Sequence, residues 1–217
     1  MNNNLLEIRD LSINFKVYDG LLKVVDGVDL KVKTGEKVGL VGESGCGKTT
    51  TVKSILNIFD KQAVVPHGEI NFDNKNVLKM NDKELHVLRG KDLSMIFQDP
   101  TASLNPVFTV GEQMYDVIKY SGIVDKKDKD GIKKKAIRAL KDCSMPDPDR
   151  ILQNYPFQLS GGMRQRVCIA MALSTESRLL IADEPTTNLD VTIQDQVLKL
   201  IRALVSEKGS SLILITH

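Results

Sequence analysis

Eight residues restrict this chain more than any others: Gly42-Glu43-Ser44-Gly45-Cys46-Gly47-Lys48-Thr49, which fit the pattern G-x-x-x-x-G-K-[ST] at every position. The run Val38-Gly39-Leu40-Val41 before them is apolar on both faces, as expected of a central parallel strand covered by helices. The segment Thr49 to Ile58 after them reads as a helix. Glycines let such a loop wrap an anion closely enough for successive backbone N–H groups to point inward. The following helix directs its positive end at the same anion. In that setting Lys48 reaches the β- and γ-phosphates of a nucleotide and the Thr49 hydroxyl binds Mg²⁺. The alternative, a Gly-rich turn with no ligand, fails to explain the strand before it and the helix after it. Cys46 reads as a small loop residue rather than a redox centre. The loop implies nucleotide binding and leaves ATPases, kinases and GTPases all open.

Around this loop the chain alternates buried strands with helices. Leu179-Leu180-Ile181-Ala182 and Leu212-Ile213-Leu214-Ile215 share the two-faced apolar character of Val38–Val41. After Asp190, Val197, Leu200, Ile201 and Leu204 fall at helical spacing, and Gly209 supplies a stop. This is the pattern of an α/β domain with a mostly parallel sheet. Two regions depart from it. In the first 35 residues Leu11, Ile13, Phe15 and Val17, then Val28, Leu30 and Val32, alternate with polar neighbours as strands do. From Pro106 to Pro156 no buried-strand pattern occurs; Val110 to Tyr120 and Gly131 to Leu140 read as helices joined by the charged loop Asp125–Asp130, so this stretch is a helical insertion.

Composition narrows the class further. With 41% hydrophobic and 27% charged residues the 217-residue chain is an ordinary globular protein, able to bury a core without staples. A net charge of +2 makes no general case for nucleic-acid binding. Cys46, Cys143 and Cys168 are too scattered for a zinc site or disulfide framework, and fit a reducing compartment. The polar start Met1-Asn2-Asn3-Asn4 is not a secretory signal. No apolar run approaches the roughly 20 residues that cross a bilayer, so any work at a membrane is done from the side.

Beyond the loop, the strongest chemical feature is the strand Leu179–Ala182 ending in Asp183-Glu184-Pro185. Ligands of open α/β sheets sit beyond the carboxyl ends of the strands, which aims both acids at the loop's ligand. Successive strand residues point opposite ways, so the two have different tasks: Asp183 on the Mg²⁺ side, Glu184 polarising an attacking water.

Between loop and acidic strand lies Leu159-Ser160-Gly161-Gly162-Met163-Arg164-Gln165-Arg166, which resembles the signature motif of ABC-type ATPases. Gln98 in Phe97-Gln98-Asp99-Pro100 resembles that family's Q-loop, Asn188-Leu189-Asp190 its D-loop, and His217 after a buried strand its switch histidine. The resemblance runs from about Leu5 to the last residue. Phe97–Pro100, Ser103-Leu104-Asn105-Pro106, Val110–Gln113 and the stretch from Ala182 to Gln194 are similar to ATPase subunits of dipeptide and oligopeptide importers, a branch that also includes nickel importers. Phe157, where His is expected, and Asn188, where Ala is usual, depart from the pattern without removing a chemical group.

The resemblance implies an α/β P-loop NTPase fold with a mostly parallel central sheet, an N-terminal antiparallel β-subdomain and an inserted helical subdomain. Its parts are residues 1–105 for the β-subdomain and loop part of the core, 106–158 for the helical subdomain, and 159–217 for the signature helix and remaining core. It further implies that ATP and Mg²⁺ are bound. Gly42, Glu43, Ser44, Gly45, Cys46, Gly47, Lys48, Thr49 and Thr50 hold the phosphates; Phe15, with Tyr18 as the alternative, stacks on adenine. Thr49, Gln98 and Asp183 attend the metal; Glu184 is the base, and His217 and Gln98 complete the catalytic group. Ser160, Gly161, Gly162 and Asp190 act across a head-to-tail dimer, on the nucleotide held by a second ATPase subunit. That second subunit is expected to be a different chain.

The remaining partners implied are two permease subunits and, indirectly, an extracytoplasmic binding protein, with the ATPase peripheral on the cytoplasmic face of the membrane and no nucleic acid involved. The function implied is ATP-driven peptide import, with import of nickel or another small solute as the alternative. A soluble ABC-type ATPase of DNA repair or translation, or a small-molecule kinase, fits less well. Because family members continue past the switch histidine, the chain reads as cut short after His217, with weak or absent hydrolysis expected of this form.

Overall fold

The computed structural model describes residues 4–187, 189 and 191–216. Two four-stranded sheets organise them. The first is antiparallel, in the order β2-β1-β4-β5, from β1 (Asn4–Val17), β2 (Gly20–Lys33), β4 (Ala63–Phe72) and the short β5 (Lys75–Asn76). The second is parallel, in the order β3-β8-β7-β6, from β3 (Lys37–Val41), β6 (Leu93–Ile96), β7 (Leu179–Asp183) and β8 (Ser211–Thr216). The β1–β2 hairpin follows from the alternation in the first 35 residues. β4 carries no such pattern, because Pro66 and Gly68 interrupt it, and it pairs through long-range register with β1.

Helix α1 (Lys48–Ile55) follows the Gly-rich loop, and α2 (Asp82–Val87) runs into a π-helical turn at Leu88–Asp92. The region read as a helical insertion contains α4 (Val110–Ser121), α5 (Lys129–Asp142) and α6 (Pro148–Gln153), preceded by the single turn α3 (Pro100–Ser103). α7 (Gly161–Ser174) and α8 (Val191–Lys208) complete the set. Local chemistry fixes their starts: Thr109 and Glu112 form a capping box on α4, Asp128 caps α5, and Ser160 caps α7. Asp128 and its five charged neighbours thus serve as loop and helix start together. α6, only six residues long, gave no periodic signal in the sequence.

The parallel sheet separates two cores, and β7 shows how. Every residue of β7 is buried. Leu179 and Ile181 pack with α1 and the antiparallel sheet, where Val52, Ile55, Ile8 and Ile70 also lie. Leu180 and Ala182 pack on the other side with α4, α5, α7 and α8, among Met114, Leu140, Val167 and Val197. The two-residue period of a strand therefore assigns each side chain to a core. Each fully buried Leu or Ile contributes about 1.5–3 kcal/mol relative to an exposed one.

One expectation is corrected. Among the described residues Val38–Val41 stands at the end of the parallel sheet, not inside it, with β3 paired only to β8. Val41 is 67% exposed, while Val38 and Leu40 are partly buried against the core around α1. Only one face of β3 is covered, since Val38 and Leu40 are half-buried while Gly39 and Val41 are exposed.

Gly68 sits where the β1–β4 register shifts, at φ 110°, and a Cβ there would lie 2.6 Å from the Leu11 Cα and 2.7 Å from the Asp10 carbonyl oxygen. Both obstacles are backbone and cannot rotate away. Gly68→Ala is expected to cost about 1–3 kcal/mol, seen as a lower urea midpoint with an unchanged slope.

Candidate functional site

The strand alternation that divides the cores also aims the two acids of β7. Asp183 continues the Leu179–Ile181 face, toward α1, and the Thr49 hydroxyl donates to its Oδ1 at 3.0 Å. Glu184 falls on the opposite parity, toward the helical side, and Gln98 Nε2 donates to its Oε2 at 2.7 Å. The chain turns sharply between them. Glu184 has φ 45°, a left-handed conformation uncommon for a non-glycine residue, while its N–H still bonds the Ile215 carbonyl at 3.2 Å and so extends the β7–β8 ladder by one step. Both carboxylates are nearly enclosed, Asp183 at 2% and Glu184 at 8% exposure.

The Gly-rich loop closes beside them. Gly45 and Gly47 have φ of 81° and 93°. A Cβ on Gly47 would lie 2.6 Å from the Val24 carbonyl oxygen, so the loop rests directly on β2. No acidic residue lies in the first turn of α1 and no side chain caps it, which leaves its positive end available to an anion. Lys48 is 7% exposed and folds back on the loop, its Nζ donating to the Gly42 carbonyl at 2.5 Å and the Glu43 carbonyl at 2.7 Å. Nζ also approaches Cys46 Sγ at 3.8 Å. Of the other loop residues, Ser44 is exposed and Thr50 half-buried in the first turn of α1.

Desolvation holds the Asp183 carboxyl above the usual carboxylate range; the Thr49 hydrogen bond pulls it down, and the neighbouring charge of Glu184 adds to the rise. Such a carboxylate is an incomplete half of something. Among the described residues no cluster of three or more His, Cys, Asp or Glu could hold a metal. Mg²⁺, however, takes one or two protein oxygens and completes its shell with water and substrate phosphates. The buried Thr49–Asp183 pair beside a phosphate-binding loop fits that requirement.

Gln98 is placed on Glu184 rather than on the Thr49–Asp183 pair. Its backbone leads into α3, which is tied to α7 by Arg164 Nη1 donating to the Thr101 hydroxyl at 3.0 Å and by a weak contact of Cys168 Sγ with the Pro100 carbonyl at 4.0 Å. Ser160, Gly161 and Gly162 stand at the exposed to half-exposed start of α7, with Ser160 Oγ accepting from the Met163 N–H at 3.3 Å. Among the described residues no hydrogen bond joins this turn to the Gly-rich loop of the same chain. Phe15 is half-buried on β1 against the core and opposite Leu22, while Tyr18 is fully exposed at the hairpin tip. Asn188, Asp190 and His217 lie outside the described residues.

Two contacts were not anticipated from the residues. Thr187 Oγ1 donates to Glu184 Oε2 at 3.1 Å, a three-residue local bond that the Asp183-Glu184 pattern does not announce. Arg89, in the π-helical turn, donates from Nε to the Leu56 carbonyl at 2.7 Å and from Nη2 to the Asn57 carbonyl at 2.8 Å, closing the C-terminal end of α1. No motif links residues 33 positions apart in this way.

The family model described as "ABC transporter" matches residues 25–187. The chain is 45% identical over 214 residues to a probable peptide ABC transporter ATP-binding protein of Sinorhizobium fredii, covering 98% of this chain and 63% of that one. It is 44% identical to an oligopeptide transport ATP-binding protein of Bacillus subtilis, covering 98% and 59%. Among solved structures, an ATP-binding cassette seen as a dimer in a post-hydrolysis state with ADP and Pi matches with TM-score 0.86 and 27% identity, covering 98% of this chain and 88% of that one. The chain thus spans about three fifths of the length of these two curated relatives.

The raised proton affinity of Asp183 has a stability consequence. The folded state binds its proton more tightly than the unfolded chain does, so stability falls as pH rises from the ordinary carboxylate value through the raised one. The cost is in full force above that window. Asp183→Asn is therefore expected to raise the melting temperature of the protein at neutral pH, with the gain shrinking in acid. Thermal unfolding of both proteins at several pH values checks this.

Proposed function

The chain belongs to the ABC transporter family, and on that premise we propose that it is the ATP-binding and ATP-hydrolysing part of a subunit that powers peptide import across the cytoplasmic membrane. The observation that carries the chemistry is the divergence of two buried carboxylates at one strand end, Asp183 onto Thr49 and Glu184 onto Gln98. The peptide assignment is supported by the relatives, whose names give peptide and oligopeptide transport at 44–45% identity across nearly all of this chain.

In this reading the backbone N–H groups of Gly45, Gly47 and Lys48 and the open end of α1 receive the β- and γ-phosphates. Lys48 exchanges its two loop carbonyls for phosphate oxygens, a stronger charge-assisted pairing. Thr49 and Asp183 hold the cation that accompanies ATP, and a bound Mg²⁺ neutralises charge building on the transferred phosphoryl. Glu184 orients the attacking water and accepts its proton, with Gln98 donating beside it at Oε2. Phe15, half-buried beside β2, presents an aromatic face for adenine.

Hydrolysis needs a second ATPase subunit. Ser160, Gly161 and Gly162 lie at an uncovered helix start carrying no acidic residue in its first turn. Placed against the opposite loop, they close over its γ-phosphate, and each subunit does the same for the other. The dimeric state of the solved cassette is consistent with this pairing. Permease subunits are engaged through the segment from Phe97 to Gln113. There Phe97, Val107 and Phe108 expose apolar side chains, and Gln113 clamps the segment onto α4 by donating to the Asn105 and Phe108 carbonyls at 3.0 and 3.1 Å. No helix among the described residues is long and apolar enough to cross a membrane, so the attachment proposed is peripheral, on its inner face.

Glu184→Gln is expected to leave ATP affinity within about twofold and to lower turnover by about 10²-fold or more, measured by nucleotide binding and phosphate release. Full-rate hydrolysis would remove Glu184 as the base. Lys48→Ala is expected to abolish ATP binding itself. Loss of di- and oligopeptide uptake in cells carrying the Glu184→Gln gene tests the cargo class.

A further inference from the structure

Glu184 Oε2 accepts two hydrogen bonds of different origin. One comes from Gln98 Nε2 at 2.7 Å, across 86 positions of sequence, from a segment that continues into α3 and is fastened to α7. The other comes from the Thr187 hydroxyl at 3.1 Å, three positions away on the same turn. The Thr187 N–H also donates to the Glu184 carbonyl at 3.2 Å, so one residue holds both the backbone and the carboxylate of Glu184. The backbone bond closes the turn that keeps Glu184 in its left-handed conformation, φ 45°. The first donor comes from the segment that leads into α3; the second comes from the turn that follows β7.

We propose that Thr187 is a positioning residue for hydrolysis: its hydroxyl holds the Glu184 carboxylate in its working orientation when Gln98 transfers its amide to the nucleotide. Gln98 has to leave if it is to report on the nucleotide. At that moment the carboxylate loses its shorter hydrogen bond, while a water must be aligned against it to within a fraction of an ångström. A donor three residues away, on the same turn, stays beside the carboxylate when Gln98 leaves. Thr187 closes the turn that follows β7, so it holds Glu184 at both its carbonyl and its carboxylate.

This inference rests on Glu184 being the base, and the test separates the two. Thr187→Val keeps the β-branched shape and removes the donor; Thr187→Ser keeps the donor and removes a methyl group; Thr187→Ala serves where Val fails to fold. In the dimeric ATPase, Thr187→Val is expected to lower kcat about tenfold, the worth of one charge-assisted hydrogen bond at the transition state, with KM for ATP and nucleotide affinity unchanged. Thr187→Ser is expected to restore kcat to within about twofold. In a Glu184→Gln background, Thr187→Val is expected to have no further effect on the residual rate. A hydroxyl that merely stabilises the turn would lower the melting temperature and leave kcat alone. Wild-type kcat in Thr187→Val while Glu184→Gln is inactive, or a Ser variant as slow as the Val variant, overturns the positioning role alone. Full activity in Glu184→Gln overturns the base and, with it, the premise of this inference.

Discussion

A hydroxyl–carboxylate contact, Thr49 to Asp183, joins the start of α1 to the end of β7 across 134 positions of sequence. The rest of the site depends on it. The contact fixes where the phosphate loop stands relative to the strand ends, and with them relative to Glu184, one residue further on. It is also thermodynamically unfinished. A buried carboxylate with a single hydroxyl donor is poorly solvated, which is why the proton affinity of Asp183 is raised. The fold tolerates that cost because both neighbouring strand positions are apolar and fully buried: Ile181 holds the strand on one side of the sheet and Ala182 on the other.

From that point outward, the architecture divides labour by strand parity. Asp183 meets the Thr49 hydroxyl at the start of α1; Glu184 meets Gln98, whose segment leads into α3. Anything bound between the loop and Glu184 therefore touches both cores. The α1 side is firmly built. Its N-terminal loop rests on β2 at Val24, and its C-terminal carbonyls are closed by Arg89. The helical side meets the site mainly through Gln98, at the end of a segment whose own hydrogen bonds run to α4 and α7.

Much of this was legible in the sequence, for a specific reason. The loop, the acidic strand end and the signature are local in sequence because each is a turn or helix start whose geometry is set by adjacent residues. Gly45 and Gly47 are needed for positive φ, and Ser160 for a helix cap. The strands of the hairpin and the helices from Val110 and near Gly131 were equally plain, since one face of each is buried. What escaped was non-local. The edge position of β3 depends on which strands pair, and its residues read as those of an interior strand. β4 lost its alternation to Pro66 and Gly68, both tolerated at a register shift. The Gln98–Glu184 bond joins two recognised motifs, but nothing in either one shows that they touch. Thr187 lies inside a recognised stretch, yet its role becomes visible only with the left-handed turn at Glu184.

The loop and the strand end also complement each other in charge. Lys48 is a nearly buried cation whose donors are met by the carbonyls of Gly42 and Glu43, neutral acceptors that compensate an ammonium only partly. Asp183 is a nearly buried anion whose acceptor is met by a neutral hydroxyl. The two do not pair with each other: each is held by its own element, one by the loop and the other by the strand. A direct salt bridge would satisfy both and leave nothing for a ligand. Kept apart, they form a site with one uncompensated charge of each sign, and a ligand that fits must carry both. A phosphate chain alone answers Lys48 and repels Asp183; a divalent cation alone does the reverse. On the proposed function, a nucleotide with its cation would answer both at once, and would draw binding energy from two desolvated charges.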